Sequence, residues 1–166
     1  MRCWPWLRGH YGCCAGKRKR VSIEPHRVSS GETNMPEPRG TILCVEDAPE
    51  VIALIQTMLE AAGYQVIGVL GGHHALEAIR REKPDLVLLD LMMPGVDGWM
   101  IFKQMRADPA LQDIPVIPVT AVDKRIDVML ALEVAGVDEY VTKPFGQREL
   151  VASIERVLHR RRERTG

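Results

Sequence analysis

The sequence has no long hydrophobic run, no phosphate-cradling glycine motif, no zinc-type cysteine spacing and no net charge. Nothing approaches the roughly 18 consecutive apolar residues of a membrane helix, which excludes a spanning segment. Arg2 precedes no apolar stretch of signal-peptide length, which argues against secretion. Neither G-x-G-x-x-G nor G-x-x-x-x-G-K-S/T stands at a strand end, so dinucleotide and P-loop sites lack their cradle. Cys3, Cys13 and Cys14 surround His10 without the close cysteine pair that zinc sites use. Aromatic residues are only 5% of the chain, yet 46% is hydrophobic and 27% charged, a composition neither disordered nor fibrous.

The zero net charge hides a division. Residues 1–40 carry eight basic and three acidic residues, whereas the other 126 carry fourteen and nineteen. The first segment is rich in Gly, Pro and Ser and contains the run Lys17-Arg18-Lys19-Arg20. It has no hydrophobic periodicity and reads as a disordered basic extension and linker over 1–40. Its basic run is a solvated cluster by default, and a nucleic-acid contact is the sharper alternative. Met35 also stands where an alternative translation start would open directly onto the first apolar run.

From residue 41 short apolar runs alternate with longer amphipathic ones. Strands are expected over 41–45, 64–70, 85–90, 115–121 and 138–142. Helices are expected between them, with Pro49 in a first turn, Gly63 as a stop, and further helices over 74–83, around Trp99 to Met105, and over 126–135. A last helix carries Leu150, Val151, Ile154, Val157 and Leu158. Strands apolar on both faces, each followed by a helix, make a doubly wound parallel α/β sheet of five strands. Cys44 lies in the first strand as a small buried hydrophobe. The domain should span 41–160, with a basic tail over 161–166.

Ligands of such sheets bind beyond the strands' carboxyl ends. Those ends carry Glu46-Asp47, Asp90, Thr120 and, leading on from the last strand, Lys143. Each has a plain structural role open to it: a loop cap, a strand hydroxyl, a surface charge. Together they are a site. Three gathered carboxylates repel unless a cation joins them, and hard oxygens without thiolate or imidazole select Mg²⁺ or a similar ion. A hydroxyl and an ammonium beside that ion make a receptacle for a phosphoryl group.

Glu46-Asp47, the run from Leu88 through Asp90-Leu91-Met92-Met93-Pro94 to Gly98, Thr120-Ala121 and Lys143-Pro144-Phe145 resemble the receiver domain of two-component response regulators. The resemblance covers about residues 40–160 and implies a flavodoxin-like strand order 2-1-3-4-5. It implies that Asp90 is the phosphoacceptor, and that Glu46, Asp47, Asp90 and the backbone carbonyl of Met92 hold Mg²⁺. Thr120 would bond the phosphoryl oxygens, Lys143 would neutralise them, and Tyr140 would be the switch aromatic. The changed surface would be the fourth helix, fifth strand and last helix. Lys143-Pro144 would be cis, as is usual in this family. The family's control of phosphate lifetime falls here on Met92 and Val122, both apolar.

The implied protein is a cytoplasmic stand-alone regulator, since no effector domain follows the last helix in this sequence. It would receive phosphate from a sensor histidine kinase or histidine phosphotransfer protein and control a separate protein target. It would have no membrane insertion and no dedicated DNA-binding domain, and would not be a turnover enzyme. Alternatives are a phosphorelay intermediate and a nucleic-acid adaptor acting through the basic arm. A phosphohydrolase with a strand-end Asp would want a second acid two positions on, where Met92 stands. Three departures from the family's pattern are expected to be local. Ala48 is a poor N-cap, Pro118 removes a ladder donor inside the fourth strand, and Gly146 replaces a capping side chain, leaving Glu149 as half a capping box. His73 and His74 read as exposed loop residues, and Met92, Met93, Met100 and Met105 as core and loop packing.

Overall fold

A computed structural model describes residues 38–95, 97–121, 137 and 139–165. The chain divides into two units, Met1–Met35 and Pro36–Gly166, and the fold is that of the second. Its strands are β1 (Thr41–Glu46), β2 (Gln65–Leu70), β3 (Leu86–Asp90), β4 (Val116–Ala121) and β5 (Val141–Lys143). They form one parallel sheet in the order β2-β1-β3-β4-β5. The helices α1 (Pro49–Glu60), α2 (Ala75–Glu82) and α3 (Gly98–Ala107) follow the first three strands, and a C-terminal helix (Gln147–Thr165) follows β5. The helix expected over 126–135 lies outside the described residues, as does nearly all of the extension expected over 1–40.

Strand alternation sends neighbouring residues into two separate cores. Ile42, Cys44, Leu86 and Leu88 pack with Ile55 and Leu59 of α1 and with Leu150 and Ile154 of the C-terminal helix. Leu43, Val45, Val87 and Leu89 face Ile79 of α2 and Ile101, Phe102 and Met105 of α3. Both faces are covered, which is why these strands lack polar alternation. Gly68 in β2 permits this closeness, because a methyl there would collide with Cγ2 of Ile52 on α1.

Helix starts follow local chemistry. Pro49 opens α1 behind Ala48, which supplies no capping side chain. At α3, Oδ1 of Asp97 accepts from the backbone N–H of Trp99 at 2.9 Å and ties down the helix start. Lys83 ends α2 in a left-handed conformation (φ 46) just before Pro84.

Four expectations need correction. β4 runs unbroken through Pro118, which pairs in register with Leu89. The carbonyls of Pro115 and Val119 face β3, so Pro118 turns its donorless nitrogen toward β5, whose pairing begins only at Val119 with Val141. No ladder bond is lost there. β5 is shorter than the run over 138–142 predicted, because Glu139 and Tyr140 precede its first pairing. The basic residues 161–165, expected as a tail beyond the last helix, continue that helix, since nothing after Gln147 breaks it. Finally, Met93 and Met105 are buried but Met92 and Met100 are 39% and 49% exposed.

Candidate functional site

The carboxyl ends of β1, β3, β4 and β5 bring the predicted polar residues to one edge. Carboxylate oxygens of Glu46, Asp47 and Asp90 lie within 4.8 Å of one another. Glu46 and Asp90 are almost fully buried, and Asp47 is exposed. Glu46 is the last residue of β1 and Asp90 the last of β3, and the paired register Val45 with Leu89 sets those ends side by side.

Lys143 closes β5 and reaches across the edge. Its Nζ donates to Oε2 of Glu46 and to Oδ2 of Asp90, each at 2.6 Å. The other oxygen of Asp90, Oδ1, accepts from the backbone N–H of Met92 at 2.7 Å. Asp90 is thus held at both oxygens. Burial pushes the Glu46 carboxyl up to about 7, opposed by the hydrogen bond from Lys143 and reinforced by the negative charge of Asp90. Burial pulls the Lys143 ammonium down, but its bonds to Asp90 and Glu46 and their charges more than reverse this, so its pKa is raised. The chemistry of this donor set, three hard carboxylate oxygens with no nitrogen or sulfur ligand, fits a small divalent cation such as Mg²⁺.

Thr120 is buried at the end of β4, one position beyond Val119, whose carbonyl accepts from the backbone N–H of Leu91. Its hydroxyl has one described hydrogen bond, to the Ala121 carbonyl at 3.5 Å. Tyr140 immediately precedes β5 and packs, half-buried, against the core cluster that contains Leu89 and Phe102. The Lys143-Pro144 bond is cis. Val122 lies outside the described residues.

Two supporting features are not obvious from the strand-end pattern. A methyl on Gly98 would collide with the carbonyl oxygen of Asp90 and the Cα of Leu91, so this glycine lets α3 start directly against the acidic loop. Its sequence signal is Asp97-Gly98, a capping residue followed by a residue with no side chain. Glu139, next to Tyr140, holds Arg156, Arg160 and Ser153 of the C-terminal helix. No spacing in the sequence marks that contact.

The receiver-domain profile of response regulators matches residues 42–155, most of the chain and all four strand ends. This chain belongs to the response regulator receiver domain family. It is 41% identical over 119 residues to the alkaline phosphatase synthesis transcriptional regulatory protein PhoP of Bacillus subtilis, covering 72% of this chain and 48% of that protein. It is 40% identical over 122 residues to the DNA-binding response regulator MtrA of Mycolicibacterium smegmatis, covering 74% and 52%. The chain therefore spans about half the length of the curated relatives it matches.

Solved receivers agree with the fold. The receiver domain of a signal transduction histidine kinase from Syntrophus aciditrophicus has a TM-score of 0.65 at 35% identity, covering 72% of this chain and 90% of that one. The receiver domain of a sensor histidine kinase from Pseudomonas aeruginosa, solved with a magnesium ion coordinated in its active-site cleft, has a TM-score of 0.65 at 32% identity. That alignment covers 72% of this chain and 98% of the other. Receivers are signalling modules of two-component systems. Among the described residues no helix is long and apolar enough to cross a membrane.

Proposed function

We propose that this receiver accepts a phosphoryl group on Asp90 from the phosphohistidine of a sensor histidine kinase or phosphotransfer protein. The observation that carries the reading is the Asp90 carboxylate, buried beside two further acids and fixed by Lys143 and the Met92 N–H. Glu46, Asp47, Asp90 and the Met92 carbonyl would hold Mg²⁺, which when bound neutralises the acids and the phosphoryl oxygens. Asp90 attacks phosphorus in line. An oxygen–phosphorus bond forms as the phosphorus–nitrogen bond of the donor imidazole breaks.

Lys143 then exchanges its bond to Asp90 for one to a phosphoryl oxygen, so its positive charge follows the negative charge added. The Thr120 hydroxyl turns to the same phosphoryl group, and Tyr140 moves inward into the space released. Glu139 couples Tyr140 to the C-terminal helix, so the change reaches an outer surface. That switched surface controls a separate protein target in the cytoplasm. Residues 41–160 form the receiver and 1–40 a basic extension to it. A relay of phosphate onward to a histidine phosphotransfer domain is the second reading, favoured by the similarity to receivers of histidine kinases.

The test uses the full chain, Mg²⁺ and acetyl phosphate, with intact mass as the readout. The protein gains one phosphoryl group, and the gain is absent with Asp90→Asn or with chelator. Asp47→Ala loses Mg²⁺ affinity and phosphorylation, whereas Glu46→Gln weakens both. Unchanged labelling of Asp90→Asn contradicts the reading.

A further inference from the structure

The opposite edge of the sheet carries a second charged feature that phosphoryl transfer does not use. Near the amino ends of β4 and β5, a cleft of about 620 Å³ lies between the end of α3, the loop before β4 and the C-terminal helix. Four arginines line it: Arg106 from α3, and Arg160, Arg161 and Arg164 from the helix. Asp113 and Glu139 are the acids in the same lining. The three helix arginines stand at relative positions 0, 1 and 4, so they share one side of the helix with Val157.

These guanidinium groups are placed by the protein. Arg106 donates from one terminal nitrogen to the carbonyls of Gln112 and Ile114, at 2.8 and 3.0 Å, and lies over the Phe102 ring. Arg160 bonds Glu139, and Arg161 bonds the carbonyl of Asp85. The arginines have protein partners already, and what they offer a ligand is their net charge and position.

Arg161 also lines a second, smaller cleft of about 160 Å³ with Arg39, Arg162, Asp85 and Leu158. The two clefts thus meet at Arg161 and form a track around the end of the helix. A short track of this kind exceeds what one small anion needs. The chain also enters the fold here. Arg39, two residues before β1, is bonded to Glu155 at 2.6 Å.

We propose that this arginine track, Arg39 to Arg106 around the end of the C-terminal helix, binds the phosphodiester backbone of a nucleic acid. A uniformly charged polymer is the partner that guanidinium groups spread along two adjoining clefts can follow. Arginine suits phosphate through its planar donors, and each backbone contact releases bound counterions. Because the track lies at the strand ends remote from Asp90, binding and phosphorylation are separately testable.

The test is fluorescence anisotropy of a labelled DNA duplex of arbitrary sequence, titrated with full-length protein over a salt series. Changing Arg160, Arg161 and Arg164 together to Gln should weaken binding at least tenfold, and the log–log salt slope should fall by roughly 0.9 for each phosphate no longer neutralised. The same three changed to Lys should keep most of the affinity, because charge is retained. If the Gln triple variant does not fold, Arg164→Gln alone should still lower the slope by roughly 0.9. Phosphorylation of Asp90 serves as the check that each variant is folded. Unchanged affinity and slope in the Gln variants overturn the proposal. So does binding lost only when Lys17 to Arg20 are changed to Ser, or binding to phosphatidylglycerol vesicles but not to the duplex.

Discussion

The two ends of the sheet handle charge in opposite ways. At the carboxyl ends, Glu46 and Asp90 are 2% and 5% exposed, two acids side by side with one lysine between them. At the amino end of β5, Glu139 is matched by Arg156 and Arg160, whose side chains are 55% and 39% exposed. The first arrangement is costly, because buried like charges repel and each loses its hydration. The second costs little and contributes modestly. A fold gathers like charges under cover where something charged is to be received there, and pairs opposite charges near the surface where it needs only to hold elements together.

The largest expected effect comes from removing the lysine that makes the carboxyl end tolerable. Lys143→Met should lower stability by about 3 kcal/mol near pH 8, since it strands two buried carboxylates. Added Mg²⁺ should restore much of that loss, whereas NaCl should not. Denaturant melts with and without the ion measure both. A Lys143→Met protein as stable as the parent would mean the acids are solvated and the comparison is false.

Gly98→Ala should cost about 2 kcal/mol, from the collision of a methyl with the Asp90 carbonyl. It should also slow phosphorylation, because the displaced loop carries the N–H that fixes Oδ1 of Asp90. Melting and phosphorylation rates can be compared with those of Gly146→Ala, where a methyl meets nothing within 4 Å.

The smallest effect sharpens the contrast by its sign. Without metal, the Glu46 carboxyl sits at about 7 against an ordinary 4.5 because it is buried, so folding takes up a proton between those values. Stability from this group is therefore present at low pH and lost as pH rises through about 7. Glu139 is held below 4.5 by its hydrogen bonds to Arg156, despite some burial. Its contribution is present above 4.5 and lost as pH falls through its lowered value. In chelator, Glu46→Gln should flatten the decline between 4.5 and about 7, and Glu139→Gln should flatten the decline in acid. Slopes of the same sign for both would break the comparison.

The carboxyl end was legible in the sequence because its residues stand in short runs with fixed places. A strand of apolar residues ends, and the next polar residue must lie at the sheet edge, as Glu46 and Asp90 do. The same reasoning located Thr120 and Lys143 and, with the alternation of strands and helices, the doubly wound sheet. The amino end was not legible. Glu139 meets Arg156 and Arg160, and Arg39 meets Glu155, through long side chains whose partners depend on how elements pack. Pro118 was misread for a related reason. The sequence shows a missing donor, but only the register shows that the donor would have faced an unpaired stretch. Gly98 fell between the two, since its neighbour Asp97 announces a helix start while the contact with Asp90 is tertiary.

The central claim is that the charge gathered at the carboxyl end exists to receive a phosphoryl group on one carboxylate. The most direct measurement is to phosphorylate the full chain with acetyl phosphate and Mg²⁺, reduce the acyl phosphate with borohydride, and map the product by peptide mass. Reduction converts a phosphorylated aspartate to homoserine. The account predicts homoserine at position 90 and nowhere else; homoserine at Asp47 or another aspartate, or none in a labelled protein, would contradict it.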